Sequence, residues 1–171
     1  MLELSAGTHE AANAGLRFHL TSPLVLAPGS QLVLCGENGA GKSTFLERVL
    51  IPAVRSTHRI LYLAQDMDLQ RHTMAATLAL LGQEVPADIT SLALAWIQAC
   101  PSRDTLILDE FEKYLRPEQR ETLDRLDFSW VVKVSHLCET RPRTEIRRGF
   151  RLLFERANAG PDVDVRLEQA W

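Results

Sequence analysis

Gly36-Glu37-Asn38-Gly39-Ala40-Gly41-Lys42-Ser43-Thr44 is the stretch on which the reading of this chain turns. It fits G-x-x-x-x-G-K-[ST], in which glycines let backbone N–H groups approach a phosphate without side-chain obstruction. In that pattern Lys42 reaches the β- and γ-phosphates and the Ser43 hydroxyl ligates Mg²⁺. A helix starting at the loop would point its positive end at the bound anion. All nine positions are therefore candidate nucleotide contacts.

The flanks separate a phosphate loop from an incidental Gly-rich turn. Gln31-Leu32-Val33-Leu34-Cys35 is a short apolar burst, the pattern of a strand buried on both faces. Phe45, Leu46, Val49 and Leu50 recur at i, i+1, i+4 and i+5, one face of a helix that Pro52 is predicted to end.

Working outward, 171 residues suffice for one domain, 1–171, with a sizeable core. Hydrophobic content of 46% and charged content of 24% are those of an ordinary globular protein, and a net charge of −3 gives no global drive towards nucleic acid or anionic membrane. Nucleic acid is an allowed partner but not the favoured one. Cys35, Cys100 and Cys138 make no metal-ligand spacing and read as reduced thiols of a cytoplasmic protein. The N-terminus shows no basic-then-apolar signal pattern, and no uncharged apolar run approaches the ~20 residues of a membrane span.

Leu16-Arg17-Phe18-His19-Leu20 alternates as a half-buried strand does, Leu24-Val25-Leu26 follows, and Pro28-Gly29 marks a turn. The run 59–64 reads as another strand, ending at Gln65. Residues 69–82 read as a helix stopped by Gly82, and Asp88 as the N-cap of a second helix carrying Leu92, Ala95, Trp96 and Ala99. Thr105-Leu106-Ile107-Leu108 is a buried strand delivering Asp109-Glu110, and Pro117 opens a helix. Residues 130–134 form a strand ending at Ser135-His136. The alternating stretches around Phe150–Phe154 and Val163–Leu167 read as strands with one wet face, antiparallel additions to the sheet. The fold class is α/β: a mostly parallel sheet with flanking helices and antiparallel edge strands.

Ligands of such sheets bind beyond the carboxyl ends of the strands. Four polar signals fall there: the loop, Gln65, Asp109-Glu110 and His136. Asp109 is placed to hold Mg²⁺ together with Ser43 and Gln65, and Glu110 to polarise the attacking water. Gln65 is also a water contact, and His136 a γ-phosphate sensor. These assign Glu110, His136 and Gln65 to catalysis, with ATP and Mg²⁺ as ligands.

This order of motifs resembles the ATP-binding cassette (ABC) superfamily over nearly the whole chain. The loop is similar to its Walker A sequence, Tyr62-Leu63-Ala64-Gln65-Asp66 to its Q-loop, Leu106-Ile107-Leu108-Asp109-Glu110 to its Walker B, and Val134-Ser135-His136 to its H-loop. The hairpin that follows is similar to the stretch from Ile146 to Leu152. The resemblance implies an ATP-hydrolysing motor domain with reduced helical and β subdomains.

The chain also departs from the family. Val85-Pro86-Ala87-Asp88-Ile89 stands where the family's Leu-Ser-Gly-Gly-Gln signature grips the ATP of an opposite subunit. An adenine-stacking aromatic is absent near residues 8–11, where His9 is the candidate. Asp109-Glu110-Phe111-Glu112-Lys113-Tyr114-Leu115-Arg116-Pro117 resembles ABC-type ATPases of DNA repair and phage defence, the RecF-like and overcoming-lysogenisation-defect families. The expected partners are thus a second copy or another protein completing the ATP site, with a membrane permease as one such partner. The location is cytoplasmic, peripheral to the inner face of a membrane in the permease case. A DNA-associated ATPase and a nucleotide-gated regulatory module with little turnover are the alternatives. Arg141, Arg143, Arg147, Arg148 and Arg151 suit either phosphates or a solvated strand face interleaved with glutamates.

Overall fold

In the computed structural model, which describes residues 1–100, 104–135, 147–156 and 160–169, four short strands come first. They are β1 (Leu2–Leu4), β2 (Gly7–Ala11), β3 (Leu16–Leu20) and β4 (Leu24–Leu26). β5 (Ser30–Gly36) is buried along nearly its whole length, as its apolar run predicts, and opens into the glycine loop. The helix after the loop has three parts: α1 (Lys42–Phe45), a wide π turn over Leu46–Leu50, and α2 (Ile51–Val54).

Pro52 does not end this helix, contrary to the expectation. The Ile51 N–H bonds the Leu46 carbonyl, five residues back. The widened turn puts Pro52 in the first turn of α2, where a missing N–H and a fixed φ are tolerated.

β6 (Ile60–Leu63) is followed by α3 (Arg71–Leu80) and α4 (Ile89–Ala99). Gly82 ends the first of these helices with a left-handed φ of 66°, and the Asp88 carboxylate caps the second by accepting from the Ser91 N–H at 2.8 Å. Next come β7 (Thr105–Asp109), α5 (Pro117–Asp124), β8 (Trp130–Ser135), β9 (Arg148–Glu155) and β10 (Asp162–Gln169).

The main sheet runs β2-β3-β10-β9-β5-β8-β7-β6, and β1 pairs with β4 in a separate ribbon. From β9 across to β6 every pairing is parallel. The antiparallel steps are β9 with β10 and β3 with β2. β9 therefore lies inside the sheet, parallel to β5, and the antiparallel direction begins with β10. Alternation reports which faces of a strand are covered and carries no information on the direction of its partners.

One apolar cluster packs the face of β5, β9 and β10 against the loop helix and the ribbon. In it the Phe18, Phe45 and Phe154 rings meet edge to face, with centroids 5.2, 6.2 and 5.2 Å apart. The other cluster packs β6 and β7 against α3, α4 and Leu123 of α5. Among the described residues no helix is long and apolar enough to cross a membrane. His136, Cys138, Arg141 and Arg143 lie outside the described residues. Of the basic set, Arg147 donates to the Phe128 and Leu126 carbonyls at 2.6 and 3.0 Å and serves the backbone.

Candidate functional site

The parallel strands bring the glycine loop after β5, Gln65 after β6 and Asp109-Glu110 at the end of β7 to one side of the sheet. β8 lies between β5 and β7 in the strand order. Gly36 can only be glycine: its φ is 152°, and a Cβ there would stand 2.7 Å from the Phe154 carbonyl oxygen of neighbouring β9. At Gly41, φ 92°, a Cβ would come within 3.1 Å of the Phe18 ring. The loop is thus seated on β9 and β3 by backbone that has no room for side chains.

Lys42 is 5% exposed and donates from Nζ to the Gly36 and Glu37 carbonyls at 2.8 and 2.9 Å. The ammonium is therefore drawn across the mouth of the loop, where an anion competes for it better than neutral carbonyls do. A hollow of 470 Å³ runs along the loop, bounded by Leu16, Asn38, Gly39, Gly41, Lys42, Ser43, Thr44, Gln65, Glu110 and Arg156. A second of 490 Å³ adjoins it at Ser43 and Gln65 and reaches Glu47, Tyr62, Asp66 and Asp109. A third, 710 Å³, lies between residues 35–40 and 153–156.

Asp109 is 2% exposed, and its Oδ1 has no hydrogen-bond partner among the described residues. Burial pushes its carboxyl up from the ordinary value, the Ser43 hydroxyl opposes this by hydrogen bonding, and the charges of Glu110 and Glu47 add to the rise. A buried carboxylate left with an unfilled oxygen beside a hydroxyl fits a divalent cation. No group of three or more His, Cys, Asp or Glu side chains forms a metal cage among the described residues. Mg²⁺ fits without one, because it takes one or two protein oxygens plus phosphates and water.

Glu110 is the one non-glycine with positive φ among the described residues, at 56°. Such a conformation costs of order 1–3 kcal/mol and persists where the surroundings over-determine it. Here they do. The Glu110 N–H donates to the Val134 carbonyl at 3.3 Å, Phe111 next to it is fully buried, and Lys133 holds Glu112 at 2.7 Å and Asp124 at 3.3 Å. The Glu110 carboxylate is 7% exposed, and its Oε2 accepts from Gln65 Nε2 at 3.1 Å and from Lys113 Nζ at 2.8 Å. Gln65 and Glu110 are therefore in direct contact. The Gln65 loop is itself stapled by Gln70, whose amide accepts from the Ala64 N–H and donates to the Tyr62 carbonyl, both at 3.0 Å.

The structure thus brings together the loop, Ser43, Gln65, Asp109 and Glu110; His136 lies outside the described residues. His9 is not part of this wall: its Nε2 pairs with the Ser5 carbonyl at 2.8 Å. Three residues were missed. Glu47 lies one turn beyond Ser43 and accepts from the Tyr62 hydroxyl at 2.8 Å, a partner that, with burial, pushes the phenol pKa up. Helical i, i+4 spacing from Ser43 is the signal that finds it. Leu16 and Arg156 carry no motif.

A family model described as an AAA domain matches residues 28–139, well over half of the chain. The chain belongs to the AAA domain family. Membership and architecture together make it a P-loop NTPase domain, a single α/β unit. No curated protein matches the sequence. Among solved structures, this AAA domain superposes on a chain of ribosome-bound archaeal Pelota and ABCE1 with a TM-score of 0.67 over 99% of its length, at 14% identity. It superposes on a chain in the complex of archaeal ribosomal stalk protein aP1 and the ribosome recycling factor aABCE1 with a TM-score of 0.57 over 97%, at 15% identity. The KaiC-like protein PH0186 from Pyrococcus horikoshii OT3 gives 0.50 over 84% of this domain and 80% of that chain, at 15% identity. At these identities the likeness is one of fold. The domain spans 35% and 39% of the first two chains.

Proposed function

We propose that this domain is an ABC-type ATPase that binds Mg-ATP and hydrolyses it in concert with a partner protein. The observation that carries the reading is the contact of Gln65 with Glu110 at the rim of the glycine loop, next to the unfilled oxygen of Asp109. Superposition over nearly the full chain on two structures containing ABCE1 supports the ABC type.

In this reading the loop amides and Lys42 hold the phosphates, Lys42 exchanging its two carbonyl partners for phosphate oxygens. Ser43 and Asp109, with Gln65, would hold Mg²⁺, which neutralises charge on the phosphates when bound. Glu110 accepts a proton from the attacking water at its carboxylate, and Gln65 orients that carboxylate through Oε2. His136 is assigned the γ-phosphate contact.

The partner requirement comes from residues 85–89. The Asp88 carboxylate closes the α4 N-terminus on Ser91, and Arg71 Nη1 holds the Ala87 carbonyl at 3.1 Å. These groups are committed within the chain, and a carboxylate there repels phosphate. Another protein supplies the missing donors, and exposed Leu80, Leu81 and Val85 beside that loop suit a protein contact. A permease is one such partner, and the location is then the cytoplasmic face of a membrane. A symmetric two-copy sandwich and a DNA-associated motor are the competing outcomes.

The test is binding and steady-state turnover of purified chain. Lys42→Ala is expected to abolish Mg-ATP binding while circular dichroism stays native. Glu110→Gln is expected to keep affinity and lose about 10²–10⁴-fold in turnover. Unchanged affinity in the lysine variant overturns the nucleotide reading. Brisk wild-type turnover together with an ATP-locked symmetric dimer of Glu110→Gln overturns the partner requirement.

A further inference from the structure

We propose that Arg156 is a nucleotide-binding residue that sets a second positive charge, from within the same chain, against the phosphates held by the glycine loop. The inference rests on the P-loop reading above and names a group that no motif supplies.

Arg156 follows directly on β9, the strand that fixes Gly36. Its Nη1 donates to the Gly39 carbonyl at 3.2 Å and its Nε to the Gly160 carbonyl at 2.7 Å. Gly39 is the tip of the loop. The guanidinium bounds both the 470 Å³ hollow along the loop and the 710 Å³ hollow behind it, so it stands where the tip divides them.

Charge makes the placement matter. In the hollow along the loop, Lys42 and Arg156 are the lining cations among the described residues, and Glu110 is an anion there. Glu47, Asp66 and Asp109 line the adjoining hollow. With Asp109 given to Mg²⁺ and Glu110 paired with Lys113, Glu47 and Asp66 still leave the surround acidic, and a second cation beside Lys42 favours a triphosphate there. Among the described residues both cations donate to backbone carbonyls, and an anionic phosphate oxygen is a stronger acceptor than a carbonyl for each of these bonds. A guanidinium presents five N–H donors in a rigid fork that matches phosphate, so it can shift from carbonyl to phosphate with little movement of β9.

The test is equilibrium titration of the whole chain with Mg-ATP and Mg-ADP, on wild type, Lys42→Ala, and Arg156→Ala, Arg156→Gln and Arg156→Lys. Arg156 is exposed, so its variants are expected to fold, and circular dichroism checks this. Alanine and glutamine are expected to weaken Mg-ATP about tenfold, lysine to stay within about threefold of wild type, and the salt dependence of affinity to flatten in the neutral variants. Glutamine can still donate to the Gly39 carbonyl but carries no charge. Wild-type affinity in Arg156→Gln, with loss only in Arg156→Ala, would reduce the residue to a brace for the loop and overturn the proposal. Wild-type affinity in all three arginine variants, with loss in Lys42→Ala, overturns it while leaving the P-loop reading intact. No Mg-ATP binding by wild type removes both.

Discussion

Gly36 shows how much a single residue carries here. The strand that holds the loop approaches so closely that an added methyl meets the Phe154 carbonyl oxygen at 2.7 Å, on a backbone with φ of 152°. Gly36→Ala is expected to lower stability by about 1–3 kcal/mol and to weaken Mg-ATP binding. Urea unfolding and calorimetric titration measure the two; an unchanged midpoint and affinity would show that β9 gives way without cost. At this scale the sequence was most informative where chemistry is tied to strand ends: Lys42, Ser43, Gln65, Asp109 and Glu110 all meet. It was silent where contact is long-range. Arg156 touches Gly39 across 117 positions, and nothing in either neighbourhood announces the other. Glu47 was legible in principle, since helical spacing from Ser43 puts both on one face.

Among the elements, α4 has its N-terminal end closed by the Asp88 carboxylate. Hydrogen bonds from the Ser91 backbone and side chain hold the Asp88 carboxyl below its ordinary value. A depressed folded-state pKa means the stabilisation is complete above the unfolded value, near ~3.9, and is lost as pH falls through the folded one. Asp104, held down by Arg59, and Asp162, held down by His19 and Arg17, contribute with the same sign. Asp88→Asn keeps a cap acceptor and removes one titrating group. Its melting temperature is expected to fall less than that of wild type between pH 7 and pH 3. Identical slopes in the two proteins would mean the cap carries no charge-dependent stability. The existence and rough extent of most strands and helices were readable from apolar periodicity. The continuation through Pro52 was not, because a five-residue hydrogen-bonded turn has no sequence signature that separates it from a helix stop. The direction of β9 was not either, because parallel and antiparallel neighbours bury a strand's faces alike.

For the molecule as a whole, the aromatic trio of Phe18, Phe45 and Phe154 joins an N-terminal strand, the loop helix and β9 in one cluster. Phe45→Ala, at a fully buried position, is expected to cost about 3–5 kcal/mol in chemical denaturation. A loss below about 1 kcal/mol would show that the cluster closes up around the gap.

The place of β9 bears on how the protein comes into being. Synthesis delivers β5, the glycine loop and the Asp109-Glu110 pair first, yet β5's neighbour on one side is made only at Arg148–Glu155. Until those residues leave the ribosome, β5 lacks that neighbour, and the carbonyl that crowds Gly36 does not exist. A nascent chain bearing every recognisable motif is therefore still without a finished nucleotide cradle. The seat of the glycine loop is completed only once the Arg148–Glu155 strand has been made and has paired with β5.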